Sequence, residues 1–145
     1  MKKVVVAAVQ MDNQDDKKIN IEKANDFIDK AVSNGAKLVG LPEYFNFIGP
    51  EDREFEAAES IPGQTTEKLA KIARKHKIWL HGGSILEKVN GQDKLFNTST
   101  FFSPEGEMIG KYRKIHLFDV EVKGGPAFKE SRTKEIGRAS CRERV

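Results

Sequence analysis

The sequence is poor in cysteine, proline and tryptophan, and it has no long hydrophobic run. Its 145 residues include one cysteine, five prolines and one tryptophan. A single cysteine excludes an internal disulfide framework and a zinc site built on several cysteines, and it favours a cytoplasmic location. The apolar run near the N-terminus ends at Gln10, which is too short for a signal-peptide core or a membrane span. We therefore expect neither a leader nor a membrane partner.

Net charge is also small. The chain carries 25 basic and 22 acidic residues, of which three arginines and one glutamate lie in residues 136–145. The preceding residues hold 22 basic and 21 acidic side chains, so the basic excess belongs to the tail. Aromatic and basic residues are not interleaved as in base-stacking surfaces. The composition therefore predicts no nucleic-acid partner, and its 38% hydrophobic content is that of an ordinary globular domain.

The first half of the chain alternates strand and helix patterns. Apolar runs predict buried strands at residues 3–10, 36–43 and 77–87. Helical spacing follows Asn20, the predicted N-cap of one helix, and Thr65 or Thr66, the predicted cap of another. The polar, aromatic-containing stretch from 44 to 60 is predicted to be a loop. A β-α-β-α-β order favours a parallel sheet with crossover helices, so the predicted fold class is α/β.

The second half adds antiparallel hairpins. Asn90-Gly91 is a turn signal that leads into an alternating strand at 95–103, and a turn from Pro104 precedes a strand at 108–114. After Asp119 the sequence predicts a loop. These elements are too few to cover both faces of a sheet.

Three charged residues are candidates for chemistry. Glu43 directly follows the second predicted strand, where open α/β sheets place their sites, and a carboxylate there can act as a general base. Lys114, at the end of the last predicted strand, can stabilise an oxyanion as a fixed positive charge. Glu130 lies in a predicted loop. For each of the three, the alternative is a solvated surface charge.

Two histidines and a glycine pair are weaker candidates. His116 lies close to the lysine, and His81 precedes Gly82-Gly83, a pair that permits close approach of backbone segments. Each histidine is either a base or a structural hydrogen-bonding group. No set of histidines and acids has metal-ligand spacing, and the sequence has no phosphate-binding glycine motif.

Taken together, several segments resemble one enzyme family. They are LPEYF, IPGQTTEKLAKIA, GGSILE, LFNTSTFFSPEGE, YRKIHLFDVE and FKES, in this order. Over residues 4–133 they resemble the N-terminal half of the nitrilase, or carbon–nitrogen hydrolase, superfamily. These segments are most similar to those of ω-amidases and deaminated-glutathione amidases, and they do not distinguish the two groups. The resemblance implies an α-β-β-α sandwich, homo-oligomeric assembly, a small carboxylate-bearing amide as substrate, and no metal or organic cofactor.

The resemblance also implies roles for the charged residues. The family's catalytic set is Glu, Lys and Cys, with a second Glu assisting. By position the first Glu falls on Glu43, the Lys on Lys114 and the second Glu on Glu130 of this sequence. The resemblance implies that Glu43 takes the thiol proton and that the thiolate attacks the amide carbon to give an acyl-enzyme. Lys114 then stabilises the tetrahedral intermediate, and water releases the acid.

The nucleophile is the part that does not match. In the family, the cysteine follows an apolar strand and precedes Tyr–Asp, whereas Cys141 is flanked by EIGRAS and RERV. IGRASCRERV is a translation of ATCGGAAGAGCGTCGTGTAGGGAAAGAGTG, a string that resembles a common short-read sequencing adapter. We therefore expect residues 1–134 to be the N-terminal part of a truncated hydrolase domain and 135–145 to be adapter read-through. On this hypothesis the chain alone is inactive.

Three alternatives stay open at this point. The tail is a natural basic extension, or the chain is a non-catalytic half-domain that serves binding or assembly. The third alternative is a thiol-dependent redox protein that uses Cys141, although the sequence lacks a C-x-x-C motif.

Overall fold

The computed structural model describes residues 3–125 and 127–138. Five strands form one sheet in chain order: β1 (Val6–Ala8), β2 (Leu38–Gly40), β3 (Trp79–Glu87), β4 (Phe96–Phe102) and β5 (Met108–Arg113). The helices are α1 (Lys17–Ser33), α2 (Glu51–Ala57) and α3 (Gln64–His76). A separate hairpin pairs β6 (Asp119–Glu121) with β7 (Ala127–Lys129), and a 3₁₀ turn follows at Glu130–Arg132.

The sheet changes from parallel to antiparallel along its width. Strands β1, β2 and β3 are parallel neighbours, whereas β3, β4 and β5 pair antiparallel. The predicted α/β class and the predicted change to hairpins are confirmed. Crossover helices return the chain to the same end of the sheet for each parallel strand, whereas tight turns simply reverse it.

One face of the sheet carries the core. Val39, Leu80 and Phe102 are almost fully buried there, in one cluster with Ile28 of α1 and Leu69 of α3. The alternation of side chains along each strand directs these residues to the helical layer. The apolar residues of the two helices recur at helical spacing and meet that face.

The opposite face of the sheet is bare in the described residues. Val6, Leu38 and Trp79 lie side by side in register across three strands. Val6 is 64% exposed, Trp79 42% and Tyr112 of β5 53%. The sheet is therefore covered by helices on one side only, as the shortage of predicted elements indicated.

The predicted helix caps are wrong. The N-cap of α1 is Asp16, whose carboxylate accepts from the backbone N–H groups two and three residues later. Asn20 is instead buried, and its amide nitrogen donates to the carbonyl oxygen of Asn46 at 3.1 Å. The N-cap of α3 is Gly63, and Thr66 lies in the first turn, where its hydroxyl accepts from the Gly63 N–H at 2.8 Å.

Three further predictions need correction. The strand predicted at 3–10 shortens to β1, which is largely exposed because it forms an edge of the sheet with one bare face. The loop predicted at 44–60 contains α2, whose N-cap is Pro50 and whose first turn holds three acids, which are favoured near a helix N-terminus. The loop predicted after Asp119 is the hairpin β6–β7.

Candidate active site

The structure brings the three predicted site residues together at one end of the sheet. Glu43 lies just beyond β2, Lys114 just beyond β5, and Glu130 begins the 3₁₀ turn. The Lys114 ammonium nitrogen lies 2.9 Å from Oε1 of Glu43 and 3.0 Å from Oε2 of Glu130. One cation therefore bridges two carboxylates, which would repel each other at this distance without it.

The loop that carries Glu43 is fixed by β3. The Tyr44 N–H donates to the hydroxyl of Ser84 at 3.0 Å, and the Phe45 N–H donates to the Ser84 carbonyl at 3.2 Å. Tyr44 has a φ of 50°, which is unusual for a residue other than glycine. This bend turns the chain sharply after Glu43 and lets Phe45 enter the core.

Gly83 makes this close approach possible. It lies in a bulge between His81 and Ser84, with a φ of 58°. A Cβ atom at Gly83 would lie 2.1 Å from the carbonyl oxygen of Pro42, directly before Glu43. His81 belongs to the bare face of the sheet, where its Nε2 lies 2.9 Å from the Ser99 hydroxyl.

Every oxygen lone pair of Glu130 is engaged. Oε1 accepts from the Tyr44 hydroxyl at 2.6 Å and from the Asn97 amide at 3.3 Å. Oε2 accepts from Lys114 at 3.0 Å and from the Phe118 N–H at 2.7 Å. Because a carboxylate offers about two acceptor positions per oxygen, Glu130 is a held anion with no free position for a substrate proton.

These contacts favour one charge state each for Glu130, Lys114 and Tyr44. Burial raises the pKa of Glu130, but hydrogen bonds from Tyr44, Phe118 and Lys114 outweigh it and hold that pKa below its usual value. Burial lowers the pKa of Lys114, but its bonds to both glutamates outweigh it and raise that pKa. Burial, then the bond to Glu130, raises the pKa of Tyr44 far above its usual value, so Tyr44 stays a neutral donor.

Glu43 differs from Glu130 in exposure and in free acceptor capacity. Its side chain is 55% exposed, against 4% for Glu130. Oε1 accepts from Lys114 at 2.9 Å and from the Asn97 amide at 2.6 Å. Within residues 3–125 and 127–138, Oε2 of Glu43 has no hydrogen-bond partner. Of the two glutamates, Glu43 is therefore the one with an acceptor position that a further donor can reach.

Both glutamates and Lys114 border a cavity of about 480 Å³. Its charged rim includes Lys134, which is buried and donates to Glu54 at 2.6 Å. Its apolar wall consists of Phe47, Ile48, Leu86, Phe118 and Phe128. Such a mixture of an apolar wall and a few convergent charged groups is typical of a small-molecule site.

The sequence did not predict site roles for Asn97 and Tyr44, although both lie in segments that resemble the family. A signal for Asn97 exists, because an amide beside phenylalanine in an apolar strand requires buried hydrogen-bond partners. His116 is exposed, and Cys141 lies outside the described residues.

Two further features are excluded for the described part of the chain. No cluster of three or more histidine, cysteine or acidic residues there is arranged to hold a metal ion. None of its helices combines the length and apolar character needed to cross a membrane.

A profile of the carbon-nitrogen hydrolase family matches residues 5–143. The chain belongs to this family. Human omega-amidase NIT2 is 44% identical over 134 residues, covering 91% of this chain and 47% of the relative. A deaminated glutathione amidase from Synechocystis is 38% identical over 138 residues, covering 94% and 51%. The predicted resemblance to ω-amidases and deaminated-glutathione amidases is confirmed.

A solved structure of the same superfamily has the same fold. It is Saccharomyces cerevisiae Nit3, described as a member of branch 10 of the nitrilase superfamily, with a TM-score of 0.78 and 34% identity. The match covers 93% of this chain and 49% of that one. The chain therefore spans about half the length of the relatives it matches.

Gly83→Ala should destabilise the chain by more than about 2 kcal/mol, since the new methyl group adds a backbone clash to an unfavourable φ. Gly91→Ala is the matched control. Its φ is 77°, but the methyl group meets nothing within 4 Å, so the expected cost is about 1 kcal/mol. Urea unfolding of both variants measures the difference. Equal losses would show that the contact with the Glu43 loop is unimportant.

The lowered pKa of Glu130 predicts an acid-sensitive site. Its stabilising contribution is complete above the ordinary carboxyl pKa of 4.5 and is lost as pH falls through the lower folded-state pKa. Glu130→Gln should therefore flatten the decline in free energy of unfolding between about pH 5 and about pH 2. Glu105→Gln, at an exposed turn position, should leave that decline unchanged. Identical slopes for wild type and Glu130→Gln would contradict the assignment.

Proposed function

We propose that this chain is part of an amidase-type hydrolase that cleaves a small amide through Glu43, Lys114, Glu130 and a cysteine thiol. The observation that carries the proposal is the Lys114 ammonium held between two carboxylates beside a cavity. It is supported by the unpartnered Oε2 of Glu43 in the described residues. Thiol-dependent acyl transfer uses a base for the thiol proton and a donor for the developing oxyanion, and Glu43 and Lys114 can supply these two groups.

The reaction balances with these groups. Glu43 takes the thiol proton, and the sulfur forms a bond to the amide carbon. Lys114 stabilises the negative charge that develops on the amide oxygen. The carbon–nitrogen bond breaks, the leaving nitrogen receives the proton from Glu43, and ammonia departs. Water, deprotonated by Glu43, then attacks the thioester. The carbon–sulfur bond breaks, the carboxylic acid leaves, and the sulfur regains a proton from Glu43.

The proposed substrate is an amide that also bears a carboxylate. The name of one of the two relatives supports this class, since deaminated glutathione carries carboxylates. Lys114 and Lys134, which line the cavity, already pair with glutamates. We therefore expect recognition of the substrate carboxylate to involve the missing half of the protein together with residues 44–60. Neither branch is favoured over the other.

We also propose that residues 135–145 are adapter read-through and that residues 1–134 alone are inactive for lack of the thiol. The mismatch around Cys141 supports this, as does the match to about half of each relative. Cytoplasmic location and homo-oligomeric assembly of the whole protein stay predictions.

The genomic locus tests the proposed tail. We expect its reading frame to continue beyond the codon for Lys134 through an apolar strand into Cys-Tyr-Asp. Amplifying and sequencing the locus and its transcript measures this. A locus that encodes EIGRASCRERV followed by a stop codon would contradict the proposal. The chain would then be a natural half-domain, and a binding or assembly role would replace the amidase.

The full-length protein should release ammonia from succinamate, the monoamide of a dicarboxylic acid. Glu43→Gln should lower kcat about 10²- to 10⁴-fold through loss of the base. Lys114→Met should lower it about 10²- to 10³-fold through loss of oxyanion stabilisation. Coupled detection of ammonia measures both, with Glu105→Gln as the control of unchanged rate. A folded wild-type protein that hydrolyses no amide in a panel of such monoamides would overturn the proposed function.

A further inference from the structure

We propose that Asn97 is a positioning residue of this site, which holds both glutamates so that Oε2 of Glu43 is the proton acceptor. The inference rests on the proposed function and concerns how its base is oriented. Asn97 lies near the start of β4 and is 3% exposed. A buried amide is costly unless its polar atoms are hydrogen-bonded.

The side-chain amide of Asn97 has two N–H donors, and two carboxylates face them. Nδ2 lies 2.6 Å from Oε1 of Glu43 and 3.3 Å from Oε1 of Glu130. The opposite amide orientation would place the carbonyl oxygen against two carboxylates, so the electrostatics select this one. Bonds to ionised acceptors are stronger than those between neutral groups.

The main chain of Asn97 fixes the third member of the site. Its carbonyl oxygen accepts from the Lys114 N–H at 2.9 Å. This bond extends the pairing of β4 with β5 by one residue and sets where the Lys114 side chain begins. One buried residue therefore contacts Glu43, Glu130 and Lys114.

The consequence is a difference between the two oxygens of Glu43. Oε1 accepts from both Asn97 and Lys114, so rotation of the carboxylate would break two charge-assisted bonds. Oε2 is left without a partner among the described residues. Lys114 alone is one flexible side chain, whereas Asn97 is buried in a strand and supplies the rigid half of this arrangement.

The neighbouring residue provides a matched control. Thr98 is also buried in β4, and its hydroxyl donates at 2.7 Å to a different carboxylate, that of Glu87. Glu87 is held by Arg113 and Lys111 and does not contact the site residues. Thr98→Val therefore removes a buried donor to a carboxylate from the same strand without touching Glu43 or Glu130.

In the full-length enzyme, Asn97→Leu should lower kcat for succinamate about 100-fold and change KM less than about threefold, because misplacement of a reacting group by about 1 Å costs a factor of this size. If Asn97→Leu does not fold, Asn97→Ser, whose side chain is shorter and polar, should also lower kcat. Thr98→Val should keep kcat within about twofold of wild type.

A double-mutant cycle separates positioning from general damage. If Asn97 acts through Glu43, Asn97→Leu should reduce kcat less than about threefold in a Glu43→Gln background. A full additional 100-fold loss there, or an equal loss in Thr98→Val, would overturn the proposal. So would unchanged kcat in both folded Asn97 variants.

A second measurement does not depend on amidase activity. Glu130 faces Lys114, Glu43 and Tyr44, and the Asn97 bond is one of those that hold its pKa down. In ¹³C-carboxyl NMR titrations, Asn97→Leu or Asn97→Ser should move the Glu130 midpoint to higher pH, and Thr98→Val should not. An unmoved midpoint would overturn the Asn97 assignment even for an inactive protein. An active wild type with an unmoved midpoint would leave the amidase proposal intact.

Discussion

The ammonium group of Lys114 is the contact on which this arrangement depends. Two carboxylates within 3.0 Å of one nitrogen are stable together only because that nitrogen is a cation. The sheet topology makes the contact possible. β2 and β5 run in the same direction, since two antiparallel steps separate β3 from β5. Their carboxyl ends therefore meet at one end of the sheet, where the amino end of β4 supplies Asn97.

The hydrogen bonds around the two glutamates give them different chemistry. Glu130 has four donors and a buried side chain, so its ionised form is favoured and its position is fixed. Glu43 has donors on one oxygen and an exposed side chain. A proton acceptor needs a free lone pair, and a fixed counter-ion needs none. The two glutamates thus differ in free acceptor capacity, which is set by the number of donors that the fold directs at each.

The sequence allowed the sheet to be predicted better than the details of the site. Apolar runs and helical spacing reflect which residues are buried, and they can be recognised in the local sequence. The β-α-β-α-β order was therefore predictable. So were the positions of Glu43 and Lys114 beyond the carboxyl ends of their strands. The cap of α1 was not, because Asp16 and Asn20 are equally good local candidates and only the buried contact of Asn20 with Asn46 decides between them. Asn97 was missed for a similar reason, since its partners lie far away in the sequence.

The open side of Glu43 constrains what completes the site. The proposed mechanism requires a thiol within hydrogen-bonding reach, about 3 Å, of the base. Asn97 and Lys114 occupy Oε1, so the sulfur must approach from the side of Oε2. In the proposed mechanism the amide oxygen lies near Lys114, whose ammonium group has three N–H donors and gives two of them to the glutamates. The contacts of Glu43 therefore set the side from which the proposed thiol reaches the proposed base.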